Sequence, residues 1–139
     1  MEQDKPNADD AILADVRDVL AKEPGLRLAI VYGSAVTGRM RPDSDVDVAV
    51  LYDKPLGIES KLSLYVRLSD ALRREVDLVD LHGLGGELLR QILCKGRLVI
   101  KKDTESYYQL MRRMIYNEAD FMPLVRRMQD ERIARLING

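Results

Sequence analysis

Apolar residues recur along the chain in two rhythms, one of about 3.6 residues and one of short unbroken runs. In residues 8–23 (ADDAILADVRDVLAKE), Ile12, Val16 and Leu20 fall at helical spacing, and Pro24-Gly25 ends the element. Residues 26–32 (LRLAIVY) form an apolar run that predicts a buried strand. Gly33-Ser34 turns the chain, and residues 34–38 (SAVTG) predict a short helix closed by Gly38. After a turn signal at Pro42-Asp43-Ser44, residues 45–51 (DVDVAVL) predict a second strand. Residues 58–74 carry Leu62, Tyr65, Val66 and Leu72 at mostly helical spacing, and residues 75–81 (EVDLVDL) predict a third strand. Gly83, Gly85 and Gly86 make a joint before a helix over about 87–95, and residues 97–101 (RLVIK) predict another short strand.

From Asp103 onward the pattern is helical. Tyr107, Leu110, Met111, Met114 and Ile115 form one stripe, and Leu124, Val125, Met128, Ile133 and Leu136 form another. Pro123 separates them, because proline cannot continue a helix without losing a hydrogen bond. Helices interspersed with short strands predict an α/β (α+β) fold ending in a helical pair. The expected division is a domain over 1–102 and a C-terminal helical extension over 103–139 packed on it.

Composition narrows the function classes. A net charge of -1 gives no global basic field to draw in nucleic acid, so no direct nucleic-acid substrate is expected. No apolar run approaches the ~18 residues of a membrane span, and the acidic start MEQDKPNADD lacks the apolar stretch of a signal peptide. The single cysteine, Cys94, cannot form an internal disulfide, which suits a reducing cytoplasm. It lies among apolar neighbours in LLRQILCKG and is expected to pack inertly. The lone histidine, His82, has no partner His or Cys nearby in sequence and is expected to be structural or solvated.

The chemistry concentrates in residues 31–53 (VYGSAVTGRMRPDSDVDVAVLYD). Side chains alternate faces along a strand, so Asp45 and Asp47 point one way while Val46, Val48 and Val50 point the other. Two like charges about 4 Å apart repel by roughly 4 kcal/mol at an effective dielectric near 20, equivalent to about 3 pKa units. Either one carboxyl is protonated or a cation holds both, and all-oxygen sites favour Mg²⁺ or Mn²⁺. Taken alone, D-x-D also describes a solvated strand end. Gly33-Ser34 changes the balance: glycine lets backbone approach a ligand, and N–H groups at a helix start attract phosphate. A phosphate cradle one strand away from a dicarboxylate makes the two halves of a nucleoside-triphosphate site. EVDLVDL offers a third acid, either Asp77 or Asp80, on opposite faces, and periodicity does not choose between them.

Gly33-Ser34, ten intervening residues and Asp45-x-Asp47 resemble the G-S-x10-D-x-D signature of the polymerase-β-like nucleotidyltransferases. The run GRMRPDSDVDVAVL is similar to their minimal nucleotidyltransferase (MNT) branch, and more narrowly to MntA-type antitoxins paired with HEPN-domain, HepT-like toxins. The resemblance implies a polymerase-β-like core with a small mixed sheet flanked by helices. It implies that Gly33 and Ser34 hold the triphosphate of ATP, and that Asp45, Asp47 and Asp77, the last as the family's third acid, are catalytic and bind two Mg²⁺ ions. Many MNT sequences read G-S-R-x-R, whereas Ala35 and Thr37 stand at those places here, so Arg39 or Arg41 would have to meet the phosphates.

The implied activity is transfer of AMP from ATP to a tyrosine of a HEPN ribonuclease toxin within a hetero-oligomeric complex. Two alternatives stand beside it. One is a non-catalytic antitoxin that blocks its partner by binding through the C-terminal helices. The other is a small-molecule adenylyltransferase of the aminoglycoside type, for which the residues after Lys102 make a thin substrate platform.

Overall fold

The computed structural model describes residues 8–117 of the chain. Among the described residues nine elements follow one another: α1 (Ala8–Leu20), β1 (Leu26–Tyr32), α2 (Ser34–Thr37), β2 (Val46–Tyr52), α3 (Ile58–Leu72), β3 (Val76–Asp80), α4 (Gly86–Lys95), β4 (Arg97–Lys101) and α5 (Thr104–Asn117). The strands form one sheet in the order β3-β2-β1-β4. β1 runs antiparallel to β2 and β4, while β2 and β3 are parallel and joined by α3. The sheet is therefore mixed.

The central strand explains its own sequence. β1 is buried on both faces, so from Leu28 onward it reads as an unbroken apolar run rather than an alternation. On one face Ala29, Val31, Val48 and Val50 pack with Ile12, Val16 and Leu20 of α1 and with Leu64, Leu68 and Leu72 of α3. On the other, Leu28, Ile30, Tyr32, Ala49 and Leu51 pack with Leu89, Ile92 and Leu93 of α4 and Leu110 of α5. The first helical stripe expected after Asp103 thus serves the core: Tyr107, Met111 and Met114 also lie against this second layer. The second stripe and Pro123 fall outside the described residues.

Several boundaries shift. α1 stops at Leu20, and Glu23 donates its N–H to the carbonyl of Leu20 as the chain turns. β2 starts at Val46 rather than Asp45, because the ladder to β3 begins where Val46 N–H meets Glu75 O at 2.9 Å. Cys94 is a correction. It is exposed, because Leu89, Ile92 and Leu93 take the buried face of α4, and its Sγ lies 3.7 Å from Met114 Sδ. His82 has the structural place expected, with Nε2 donating to the Tyr52 carbonyl at 2.7 Å.

Candidate active site

Strand register builds the site. Tyr32 at the end of β1 pairs with Asp47 of β2, and Asp47 pairs with Asp77 of β3. Register partners on adjacent strands project to the same side, so a tyrosine and two aspartates form a row across three strands. The row ends the face whose further part is covered by α4 and α5.

Immediately after Tyr32 the chain must turn sharply. Gly33 has φ 73° and ψ -146°, a conformation essentially reserved for glycine. A Cβ added there would overlap Oδ2 of Asp47. The glycine therefore does two things at once: it makes the corner, and it leaves room for a carboxylate under it. Ser34 then opens α2, Ala35 anchors that helix in the core, and Gly38 closes it in the left-handed conformation at φ 75°.

The electrostatics follow from this crowding. Asp47 is held above the ordinary carboxylate range, first by burial, then by Asp77 and then by Asp45. The strongest repulsive neighbour is thus the acid on the next strand rather than its D-x-D companion. Asp45 sits one residue before β2 and is exposed, and Asp77 is exposed on the edge strand. The Tyr32 phenol is pushed well above its usual value, by burial first and then by Asp47 and Asp77.

Asp80 belongs elsewhere. It lies on the opposite face of β3, where its carboxylate accepts the N–H of Leu56 and of His82, both at 3.0 Å. The choice that periodicity left open becomes one of geometry: Asp77 lies beside Asp47, and Asp80 anchors loops. Arg39 and Arg41 are exposed on the loop between α2 and β2. Arg41 N–H donates to Ser44 Oγ at 2.9 Å, and Ser44 N–H returns to the Arg41 carbonyl at 3.0 Å, which makes Pro42-Asp43 the corner of a tight turn.

The donor set suits a hard divalent cation. All three acids offer oxygen, and a cation would offset the burial and repulsion that Asp47 bears. Among the described residues no three His, Cys, Asp or Glu side chains close round a single point. The protein thus supplies an incomplete oxygen shell, of the kind Mg²⁺ completes with water and substrate phosphate. Tyr32 and Arg74 lie outside the Gly-Ser and Asp-x-Asp motif. The signal for Tyr32 was its place as the last residue of an apolar run leading into Gly-Ser.

A small mixed sheet with a Gly-Ser corner folded over paired carboxylates defines a nucleotidyltransferase core. Residues 14–105 match the family described as Polymerase beta, Nucleotidyltransferase, and the chain belongs to it. It is 35% identical over 74 residues to the protein adenylyltransferase MntA of Shewanella oneidensis, covering 53% of each chain. It is 37% identical over 59 residues to the protein of the same name from Aphanizomenon flos-aquae, covering 40% of this chain and 36% of that one. The match thus spans about half or less of these curated relatives. Among solved structures, the fold superposes with TM-score 0.64 on a chain of a toxin-antitoxin crystal structure with AMP-PNP, at 24% identity, covering 91% of this chain and 96% of that one. It superposes with TM-score 0.60 on a chain of the tri-AMPylated Shewanella oneidensis HEPN toxin in complex with MNT antitoxin, at 22% identity, covering 94% and 97%. These likenesses establish the polymerase-β-like fold that the motif implied. Among the described residues no helix is long and apolar enough to cross a membrane.

Proposed function

We propose that the protein is a cytoplasmic antitoxin that transfers AMP from ATP to a tyrosine hydroxyl of a HEPN-domain toxin with which it assembles. The observation that carries this reading is the row Asp47–Asp77 in register beneath the Gly33 corner. The names of the MntA relatives supply the acceptor class and the nucleotide. In this reading residues 1–102 are the transferase domain and residues 103–139 a helical extension on it.

Each residue then has a task. The backbone at Gly33 and the Ser34 hydroxyl hold the triphosphate, and Arg39 or Arg41 reaches its outer charge from the loop. Asp45, Asp47 and Asp77 would hold two Mg²⁺ ions, whose chemistry when bound is to offset phosphate charge and lower the pKa of the acceptor hydroxyl. Asp77, exposed on the edge strand, completes the metal site or takes the hydroxyl proton. The acceptor oxygen forms a bond to the α-phosphorus, the α–β bridging bond breaks, and pyrophosphate leaves with that electron pair.

Incubation with labelled ATP, Mg²⁺ and the product of the neighbouring gene tests the proposal. Label on a tyrosine of that partner is the expected result; an unlabelled partner with folded protein rejects it. The Asp45→Asn/Asp47→Asn double variant separates transfer from blockade by binding. If that variant still neutralises the partner at normal stoichiometry, transfer is not the operating mechanism.

A further inference from the structure

We infer that Arg74 is a positioning residue that shapes the loop between α2 and β2 so that Asp45 is presented to the acids of the site. The inference rests on the nucleotidyltransferase reading above.

The end of α3 aims this side chain. Arg73 caps the helix in the left-handed conformation at φ 53°, its N–H returning to the Ser69 carbonyl at 2.8 Å. The chain reverses there and enters β3 three residues later, at Val76. From this position Arg74 Nη1 donates to the Arg41 carbonyl at 2.8 Å and approaches the carbonyls of Pro42 and Ser44 at 3.2 and 3.4 Å. A guanidinium is always charged and rigidly planar, and a carbonyl oxygen has two lone pairs, so one side chain can gather several carbonyls of a single turn.

The next residue completes the attachment. Glu75 O accepts the N–H of Val46 at 2.9 Å, the first contact between the two strands. The segment 41–46 is therefore tied at one end to Arg74 and at the other to Glu75, with Asp45 between the ties. Asp45 itself is exposed and one residue short of the strand, so strand pairing alone does not fix it. It stands two residues before Asp47, the spacing that alternation places on one side of a strand.

The test uses the whole protein with Mn²⁺ and ATP as probes. Amide hydrogen exchange over residues 41–45 and Mn²⁺ affinity in the presence of ATP are measured for the parent, Arg74→Ala, Arg74→Lys and Asp45→Asn. Arg74→Ala is expected to speed exchange in this segment and to weaken Mn²⁺ by about tenfold, the lower end of what losing a ligand-orienting partner costs. Arg74→Lys keeps one donor for the Arg41 carbonyl and should fall between; it also carries the test if the alanine variant does not fold. Added to Asp45→Asn, Arg74→Ala should weaken Mn²⁺ no further. Unchanged exchange and affinity, or an equal loss with and without Asp45, overturns the inference. If Asp45→Asn alone leaves Mn²⁺ affinity unchanged, the reading of the site fails instead.

Discussion

Replacing Gly33 with alanine tests whether the corner and the acid beneath it are one construction. Two penalties add. The backbone at φ 73°, ψ -146° is closed to ordinary side chains, at about 1–3 kcal/mol. The new methyl also overlaps Asp47 Oδ2, and forcing a carboxylate aside in packed surroundings costs about another 1–3 kcal/mol. The sum, roughly 2–6 kcal/mol, corresponds to a Tm lower by about 10–20 °C at this size. Asp47→Ala separates the two terms, because the same methyl would lie 3.6 Å from the Cβ of residue 47, an ordinary contact. In that background Gly33→Ala should cost the backbone term alone, leaving a coupling of at least about 1 kcal/mol between the sites. Thermal and urea denaturation of the four proteins, followed by circular dichroism, measures it. An equal penalty in both backgrounds would show that Asp47 does not occupy the space under the corner and that the two residues do not form one site.

Asp80→Ala leaves the N–H groups of Leu56 and His82 without their carboxylate and should cost about 1–3 kcal/mol in urea melts, with nucleotide binding unchanged. Asp77→Ala should do the opposite, abolishing transfer to the partner with little change in Tm. Asp47 has a raised folded-state pKa, so its charged form is held at a cost that is present above that pKa and disappears as pH falls through it. Asp47→Asn should therefore have a higher Tm than the parent at pH 7 in chelator, and the gap should close as pH falls through the carboxylate range; a gap that widens on acidification rejects the repulsion. Leu68→Ala, in the fully buried row between α1, α3 and the sheet, should cost about 2–5 kcal/mol by chemical denaturation.

How far the sequence carries depends on whether a residue's neighbours are local. The strands were legible because each is written in its own period, LRLAIVY as a strand buried on both faces, but the stripe expected for α3 was misplaced: Leu62 and Val66 are exposed, and Leu64, Leu68 and Leu72 face the core. Asp45 and Asp47 announced themselves because alternation puts them on one side. Their true order of interaction was not legible, since the register that sets Asp77 beside Asp47 is a long-range fact. The same register turns Asp77 and Asp80, equivalent in sequence, into an acid of the site and a loop anchor.

Cys94 failed for the reverse reason: apolar neighbours in sequence lie around a helix, not beside one another, and the buried face of α4 passes it by. Gly33 shows the limit most clearly. A glycine before a helix predicts backbone freedom, which is correct, yet its second constraint comes from a carboxylate fourteen positions away. Catalytic motifs of this kind compress into a few residues because each satisfies two demands, one local and one across the sheet. A substitution that meets only the local demand should fold the corner and still lose the site.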